Sequence, residues 1–393
     1  MRRARLSLPL IVTALLATAC AESEPDAKTT ATPAASSNSS APAITPKLAV
    51  STLADGLEHP WDVAVLPSGE LLFTERDRER VSILTTDGKR RTVLESPDGM
   101  WHGGETGLMG IELAPDFEST REFITCHGFA QNGKQDVRAV RWRLDSAMEK
   151  ASKVRDLVTG LPSSSGRHGG CSLEMGAGDA LYLGVGDAAI GTNAQDLQSG
   201  GGKVLRVDPK TGDGLGDNPY ADSDNAMQRR IWSYGHRNVQ GLAFDKDGNL
   251  YGAEHGPATD DEVNVIRKGG NYGWNPVPGY NESVPMTDDG LPGEQISAAW
   301  SSGSPTLAIS GAAFLAGDVW GTLENTLVVP ALKDESLRFM RFGDDGKLED
   351  ESSVKEFDGE YGRLRGAVVA PDDTLYVTSS NGSDDKIIKV TPR

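Results

Sequence analysis

The sequence predicts an all-β protein built as a six-bladed β-propeller. Three observations support this prediction: a hairpin-like phrase that returns six times, an abundance of glycine, and a scarcity of helical periodicity. Of 393 residues, 46 are glycine, as turn-rich β structure requires. Short alternating apolar runs recur along the chain, whereas few segments repeat apolar residues at helical spacing.

The repeated phrase is an apolar strand, a turn built on Pro, Asp or Gly, and a second strand rich in Leu, Tyr and Val. Its copies begin at Asp62, Gly110, Cys171, Gly241, Gly311 and Gly366. Alternating apolar positions on both sides of a tight turn are typical of a β-hairpin. Copies spaced by about 50 to 70 residues predict blades of four strands around a channel. A two-sheet sandwich is the alternative, but it does not account for a repeat of this length.

The N-terminal residues are predicted to form a targeting segment and not part of the folded domain. Arginines near the start precede an apolar run over residues 6–16, and small residues then lead to Cys20. The run is too short to span a bilayer as a helix, so residues 1–19 are predicted to be a signal peptide. A cysteine directly after such a run predicts a lipoprotein site at which Cys20 is acylated. An ordinary secretory signal with an incidental cysteine is the alternative.

Residues 20–46 are predicted to form a flexible tether. They are rich in Ala, Ser, Thr and Pro, and such a composition buries too little apolar surface to offset chain entropy. The folded body is then residues 47–393. A lipid on Cys20 would hold this body at a membrane outside the cytoplasm, at the cell surface or in the periplasm.

Charge and cysteine content limit the partners and the environment. The net charge of −18 argues against nucleic acid, because its phosphates would be repelled. After Cys20 the sequence contains two cysteines, Cys126 and Cys171. In an oxidising compartment such a pair often forms a disulfide, and the spacings typical of zinc sites are absent from the sequence. We predict a Cys126–Cys171 bridge, with two buried free thiols as the alternative.

Polar residues concentrate in the longer spacings between the third and fifth copies, where the extra residues must form loops. His168 stands just before a predicted strand in SSSGRHGG, and a histidine can take a proton near neutral pH. A structural histidine, satisfied by its neighbours, is the alternative. The string YGHRNVQG adds Arg237 and Asn238.

The string EHGPATDDEVN contains Gly256, Pro257 and Glu262. Backbone carbonyls at its irregular turn, with carboxylates nearby, suit a hard cation such as calcium. An acidic surface loop would have the same composition, so both interpretations stay open.

Three cations stand out in this acidic protein: Lys333, Arg363 and Arg365. Alternate positions on an extended segment face the same way, so the two arginines are predicted to point together. Paired guanidinium groups suit carboxylates or phosphates. Plain surface charge is the alternative for each of the three.

Taken together, these strings resemble the soluble PQQ-dependent glucose and aldose sugar dehydrogenases. The similarity extends through nearly the whole body, and its most specific pieces are YGHRNVQGLAF, EHGPATDDEVN with GGNYGW, and KVLRVDPKTG. The resemblance implies a six-bladed propeller that holds PQQ over its top face. It also implies oxidation of an aldose sugar at C1 to the lactone. The sequence has no CxxCH haem-attachment motif, so electrons would leave to an external acceptor.

The resemblance also implies roles for individual residues. His168 matches the general base that removes the proton of the anomeric hydroxyl, and Arg237 would stabilise charge that develops on the quinone. The residues expected to contact PQQ are Arg237, Asn238, Lys333, Arg363 and Arg365. The residues expected to hold calcium are Gly256 and Pro257 at the active site, and Glu262 with the Tyr272 carbonyl at a second, structural position.

Two departures from the family pattern concern the substrate. Arg167 precedes His168 where glucose-oxidising members carry an acidic residue. Glu105 stands where a glutamine is usual beside the substrate. These changes affect the choice of sugar and leave the cofactor residues intact.

Two other functions remain open. One is a cofactor-free propeller used for binding at the cell surface. The other is a calcium-dependent propeller hydrolase such as a lactonase, which would need metal ligands from several blades, and the sequence shows no such repeated set. The complete set of His168, Arg237, Lys333, Arg363 and Arg365 favours the dehydrogenase.

Overall fold

Six antiparallel sheets arranged in a ring form the body of the protein, in a computed structural model that describes residues 45–393. The first strand, β1 (Leu48–Leu57), belongs to the last blade. Blade 1 comprises β2 (Pro60–Val65), β3 (Leu71–Glu75), β4 (Arg80–Leu84) and β5 (Arg90–Glu95). Blade 2 comprises β6 (Met100–Trp101), β7 (Leu108–Leu113), β8 (Glu122–Gln131), β9 (Lys134–Leu144) and β10 (Ala151–Leu161).

Blades 3 to 6 follow in chain order. Blade 3 comprises β11 (Ser172–Gly176), β12 (Ala180–Val185), β13 (Lys203–Val207) and β14 (Ile231–Tyr234). Blade 4 comprises β15 (Val239–Phe244), β16 (Leu250–Glu254), β17 (Glu262–Ile266) and β18 (Trp300–Ser301). Blade 5 comprises β19 (Ala313–Phe314), β20 (Leu327–Pro330), β21 (Leu337–Phe342) and β22 (Leu348–Ser353). Blade 6 comprises β23 (Leu364–Val369), β24 (Leu375–Ser379) and β25 (Asp385–Pro392), completed by β1.

Helices are short throughout the described residues. The α-helices are α1 (Phe117–Thr120) and α2 (Ala226–Arg230), and the 3₁₀ turns are Ala177–Asp179, Asp318–Leu323 and Lys355–Phe357. Each of the six repeated phrases supplies the inner strand of one blade and the strand that follows it, so the six-bladed propeller prediction is confirmed. Blade 2 departs from the predicted four strands because β6 and β7 both pair with β8.

The ring closes by pairing the first strand with the last. β1 runs antiparallel to β25, from Leu48 opposite Pro392 to Leu57 opposite Asp385. The inner strand of every blade packs against the inner strands of both neighbours, and β23 packs against β2. Apolar side chains fill the spaces between blades, as with Met109 and Leu183 between blades 2 and 3.

A cavity of about 380 Å³ lies at the centre of the ring, near the ends of the inner strands. Apolar side chains such as Val65 and Phe244 line it, together with the carboxylates of Glu112 and Glu174. Burial, reinforced by the neighbouring carboxylate of Asp62, raises the pKa of Glu112 to about 8. Burial also raises the pKa of Asp62 to about 7.

Cys126 on β8 and Cys171, just before β11, form a disulfide with their Cα atoms 6.0 Å apart. This bond joins blades 2 and 3, as predicted from the pair of cysteines. Within residues 45–393, no helix is both long and apolar enough to cross a membrane. The predicted signal peptide (1–19), the lipidation site Cys20 and nearly all of the tether (20–46) lie outside the described residues.

Candidate functional site

Hairpin geometry brings most of the predicted site residues to one face of the ring. In an antiparallel pair, the start of the inner strand lies beside the end of the second strand. Ser172 is opposite Gly184 in blade 3, and Val239 is opposite Glu254 in blade 4. Residues that precede inner strands and residues that follow second strands therefore line the same face, which we call the top face. The predicted residues found there are Glu105, His168, Arg237, Asn238, Gly256, Pro257, Lys333, Arg363 and Arg365.

A cavity of about 290 Å³ lies on the top face. Its lining comprises Glu105, Arg167, His168, Arg237, His255, Gly256, Pro257, Asp261, Glu282, Thr306 and Ala308. These residues come from the loops of blades 2, 3 and 4 and from the loop before β19. The predicted base, the predicted substrate residue and the predicted calcium carbonyls thus share one cavity.

His168 lies at the floor of this cavity with 2 % of its surface exposed. Its Nδ1 is 2.8 Å from Oδ1 of Asp187, a fully buried carboxylate that follows β12. Since the carboxylate is an acceptor, Nδ1 carries the proton and Nε2 keeps its lone pair in the neutral ring. Nε2 is 3.5 Å from Nη2 of Arg167, which is a donor at that distance. The arrangement leaves Nε2 as the basic nitrogen.

Asp187 is saturated with hydrogen-bond donors. Oδ1 accepts from His168 and from the backbone N–H of Ala189 at 2.7 Å. Oδ2 accepts from Nε1 of Trp274 at 2.7 Å and from the hydroxyl of Tyr280 at 2.8 Å. Both oxygens of this buried carboxylate are thus satisfied by hydrogen-bond donors. The pair formed by His168 and Asp187, which we call the dyad, is therefore held rigidly by residues of blades 3 and 4.

The backbone approaches closely around the dyad. His168 has φ of 50°, in the left-handed region that is costly for a residue with a side chain. A Cβ at Gly186 would lie 2.0 Å from the carbonyl oxygen of His168. Only glycine fits at position 186. Gly186 therefore allows the segment that carries His168 to pack closely against the end of β12.

A chain of hydrogen bonds runs from His168 across the floor to blade 6. Oε2 of Glu105 accepts from the N–H of His168 at 3.0 Å and from Nδ2 of Asn238 at 3.2 Å. Oδ1 of Asn238 accepts from Nε2 of Gln240 at 3.0 Å. Oε1 of Gln240 accepts from Nη1 of Arg365 at 2.6 Å. These four hydrogen bonds connect the blade 2 loop that carries Glu105 with the inner strand of blade 6.

Arg237 is buried on the wall of the cavity, with 4 % of its surface exposed. Nη1 donates to the carbonyl of His255 at 2.9 Å, and Nη2 donates to Oε1 of Glu282 at 2.6 Å. The backbone N–H of Arg237 donates to Glu254. Glu282 also accepts hydrogen bonds from Arg167 at 3.0 and 3.1 Å. Burial opposes ionisation of Glu282, but the bonds from the two arginines outweigh it and lower its pKa.

Three shielded nitrogen atoms near the cavity have no partner among residues 45–393: Nε of Arg237, Nε of Arg365 and Nε2 of His255. Buried polar atoms normally find a partner, so these atoms mark a place for a polar ligand. Burial, together with Arg365, Arg237 and His168, lowers the pKa of His255 well below its ordinary value. The cationic arginines are donors suited to a ligand rich in carboxylates and carbonyls. The donor set thus fits PQQ, a flat tricarboxylate.

The predicted cations differ in their burial. Arg365 is 7 % exposed and stands over the ring of Trp61 at 5.4 Å. Burial, with Arg76 as the next cause, lowers the pKa of Arg365 to about 9, which leaves it charged at neutral pH. Arg363 and Lys333 are exposed beyond the 290 Å³ cavity, and Nζ of Lys333 reaches Oγ1 of Thr306 at 3.4 Å. The buried Arg365 is part of the cavity floor, whereas Arg363 and Lys333 lie at the border of that floor.

The turn after β16 is shaped by Gly256. A Cβ at this position would lie 2.1 Å from the Thr259 carbonyl oxygen and 2.4 Å from that of Asp260. The N–H of Gly256 donates to Oδ1 of Asp261 at 2.9 Å, and Oδ2 of Asp261 accepts from the backbone of Leu307 and Ala308. Asp261 therefore fastens the turn, and the oxygen donors that remain for a cation there are carbonyls, which suit calcium.

The second predicted calcium position has a different local environment. Glu262 and Glu254 are both buried, and Nδ2 of Asn264 lies 3.3 and 3.4 Å from their carboxylates. Burial and the charge of Glu254 raise the pKa of Glu262 to about 8. The Tyr272 carbonyl accepts from Oγ1 of Thr287 at 3.2 Å. In the described chain, no three His, Cys, Asp or Glu side chains form a group that could hold a metal ion.

Sequence reasoning missed four site residues: Asp187, Trp274, Tyr280 and Glu282. Asp187 directly follows the second strand of a repeated phrase, the position that reaches the top face in every blade, so the repeat itself could have identified it. The other three lie in the long segment between β17 and β18. That segment has no periodicity from which their positions could be predicted.

Comparisons with known proteins agree in family and fold. Residues 57–389 match the family model for glucose/sorbosone dehydrogenase. The aldose sugar dehydrogenase YliI of Escherichia coli (strain K12) is 33 % identical over 355 residues, which cover 88 % of this chain and 93 % of that protein. The PQQ-bound aldose sugar dehydrogenase of Streptomyces coelicolor is similar with a TM-score of 0.75 and 30 % identity, over 88 % of this chain and 100 % of that one. The apo form of the soluble Escherichia coli aldose sugar dehydrogenase gives a TM-score of 0.78 and 29 % identity, with the same coverage of 88 % and 100 %.

Proposed function

The chain belongs to the glucose/sorbosone dehydrogenase family, and we propose that it is a PQQ-dependent dehydrogenase that oxidises an aldose sugar at C1 to the lactone. The relatives named above are aldose sugar dehydrogenases, and one of them was solved with PQQ bound. The observation that carries the proposal is the His168–Asp187 dyad, whose histidine lines the same cavity as Arg237 and the unpartnered Nε–H of that arginine.

In this proposal Arg237, Asn238 and Arg365 hold the cofactor at the floor, with Lys333 and Arg363 at its border. An acidic protein of net charge −18 needs such a local concentration of cations to bind a tricarboxylate. When bound, PQQ supplies an ortho-quinone that accepts the hydride of the sugar. The chain's own residues supply orientation and proton transfer.

His168 is proposed as the general base. Asp187 holds Nδ1 protonated, so Nε2 is free to accept the proton of the anomeric hydroxyl. The weak contact from Arg167 to Nε2, at 3.5 Å, gives way to that hydroxyl. Once His168 is protonated, the adjacent carboxylate stabilises the imidazolium that forms.

Arg237 and Glu105 act beside the base in this proposal. Arg237 is rigidly held by His255 and Glu282, so its positive charge is available without reorganisation to stabilise negative charge in the transition state. Glu105 lies in the cavity with one oxygen on the His168 N–H. We propose that Glu105 contacts the sugar hydroxyls.

Calcium is proposed at the top face, held by the carbonyls of Gly256 and Pro257. The carbonyl-rich turn around Gly256 supports this assignment, and the ion would act there as a Lewis acid. A second, structural calcium at Glu262 and the Tyr272 carbonyl is proposed from the resemblance alone. We further propose that the protein is an extracytoplasmic lipoprotein acylated at Cys20 and that its electrons leave to an external acceptor.

Reconstitution tests the proposal. The full-length protein is mixed with PQQ and calcium and assayed for dye reduction with a panel of aldoses, alongside His168→Ala and Arg237→Ala. Arg341→Ala, on the outer part of blade 5, is the matched control for the loss of an arginine. We expect sugar-dependent reduction that requires PQQ and that falls by about two to four orders of magnitude in His168→Ala. Absence of PQQ binding by the wild-type protein would overturn the dehydrogenase and leave the binding propeller.

A further inference from the structure

Tyr280 contacts both members of the dyad. Its hydroxyl oxygen is 2.8 Å from Oδ2 of Asp187 and 3.0 Å from Nδ1 of His168. The residue is half-buried and comes from the segment between β17 and β18. Its ring lies at 6.3 Å from that of Trp274, which donates to the same oxygen of Asp187.

The direction of these hydrogen bonds follows from the charges. Burial, and then the carboxylate of Asp187, raise the pKa of Tyr280 above its ordinary value, so the phenol keeps its proton. The phenol donates that proton to Asp187, because an ionised carboxylate is an acceptor only. The oxygen of Tyr280 can then accept from the protonated Nδ1 of His168, which is shared between two acceptors.

We propose that Tyr280 is a positioning residue for proton transfer by His168. Its hydroxyl fixes the imidazole with Nδ1 protonated and Nε2 facing the cavity, and it withdraws part of the negative charge of Asp187 from the ring. This assignment rests on the proposed function, in which His168 is the base. Tyr280 itself does not touch the reacting atoms.

Other charged and titratable groups also face His168. Arg167 approaches Nε2 at 3.5 Å, and Glu105 accepts from the backbone N–H at 3.0 Å. His255 interacts with His168 electrostatically, although its own pKa is low. Arg167 and Glu105 meet other atoms of His168, so substitution of Tyr280 changes the Nδ1 side of the ring and leaves their contacts in place.

The test compares Tyr280→Phe with the wild-type holoenzyme. Phenylalanine keeps the ring that packs on Trp274 and removes the hydroxyl. Tyr182→Phe, on β12 of blade 3, is the matched control, because it also removes the hydroxyl of a buried tyrosine, in this case one near Arg206. The readouts are the pH profile of kcat/KM, the melting temperature and a PQQ titration.

Without the phenol, Asp187 presents more negative charge to His168, which favours the imidazolium. We therefore expect the acid limb of the Tyr280→Phe profile to move to higher pH by about 0.5 to 1 unit. PQQ affinity and melting temperature should stay close to those of Tyr182→Phe. A profile that superimposes on the wild-type profile would overturn the assignment, as would an activity loss explained fully by lower melting temperature.

A second measurement separates this inference from the proposed function. The ring of His168 in the ligand-free protein can be titrated by NMR, in the wild type and in Tyr280→Phe. A higher titration midpoint in the variant supports the positioning role even if no aldose is oxidised, and equal midpoints overturn it. Failure of the wild-type protein to bind PQQ would instead overturn the proposed function.

Discussion

Nη2 of Arg237 donates to Oε1 of Glu282 at 2.6 Å, and the same carboxylate accepts from Arg167, which also lines the cavity. Glu282 is thus a single negative charge between two positive ones. It holds Arg237 in place, and it also offsets part of the positive charge that an anionic ligand would meet. These two effects have opposite consequences for ligand binding.

The Glu282→Gln variant separates the two effects. Glutamine keeps an oxygen that can accept from Arg237 but removes the negative charge, so the cavity gains one net positive charge. We expect PQQ to bind about two- to fivefold more tightly at low salt, with the gain reduced at high salt. Fluorescence titration measures the affinity, and Glu349→Gln on the exposed part of blade 5 is the control. Weaker binding would show that orientation of Arg237 matters more than charge.

The second prediction concerns Asp187→Asn. Asparagine has one accepting oxygen where aspartate has two, so the variant loses part of its contacts with His168, Trp274 and Tyr280. Because it also lacks the negative charge, it no longer stabilises an imidazolium. We expect kcat to fall by about two to four orders of magnitude, with PQQ affinity retained. Steady-state kinetics and a PQQ titration check this, with Asp196→Asn in the same loop as control. Retention of more than a tenth of wild-type kcat would contradict the role of the dyad.

The third prediction concerns the pH dependence of stability. The folded-state pKa of Glu112 is raised to about 8, so between roughly pH 4 and pH 8 the folded protein binds more protons than the unfolded chain. The free energy of unfolding therefore decreases as pH rises through this window. Glu112→Gln should reduce the decrease by about 1 kcal/mol, a value discounted because the carboxylate lines a cavity.

Denaturant unfolding at pH 5 and pH 8 measures this effect. Glu356→Gln, which removes an exposed carboxylate, should leave the pH dependence unchanged. If Glu112→Gln and the control lose equal stability between the two pH values, Glu112 does not contribute to the pH dependence.

The fourth prediction concerns the disulfide between Cys126 and Cys171. The bond closes a separation of 45 residues, and its removal frees the unfolded chain. We expect the double Cys→Ala variant to lose about 2 to 4 kcal/mol of unfolding free energy. Calorimetry with and without reductant checks this, since the reductant should destabilise the wild type and leave the variant unaffected. Equal stability of the oxidised wild type and the variant would contradict it.

The fold could be predicted because the blade repeat is local. Alternation over about ten residues is sufficient to indicate each hairpin, and six hairpins in one chain indicate a ring. Blade 5 shows the limit of this reasoning, since its phrase yields an inner strand, Ala313–Phe314, of only two residues. A 3₁₀ turn at Asp318–Leu323 occupies much of the segment between that strand and β20.

The site could be predicted where its residues adjoin strands. Arg237 and Asn238 directly precede β15, and His168 lies in the short segment before β11, so their position on the top face follows from the hairpins. Tyr280 acts on Asp187, 93 residues away, through a loop whose path depends on tertiary packing. No pattern in the sequence encodes such a contact.

The two arginines of blade 6 show a third kind of limit. Alternation predicts equivalent positions for Arg363 and Arg365, yet Arg365 is buried and Arg363 is exposed. Arg363 precedes β23, and the register with β24 shifts between Leu364 and Ala367. Such a shift disrupts simple alternation, and it is not visible in the residue types.

Closure of the ring by β1 and β25 bears on the order of events in assembly. The floor of the top face needs Glu105 from blade 2 and Arg365 from blade 6, and blade 6 is incomplete until the last strand of the chain meets the first. A growing or truncated chain therefore lacks the complete binding surface, however well its early blades fold. A ligand that needs the complete floor can therefore bind only after β1 has paired with β25.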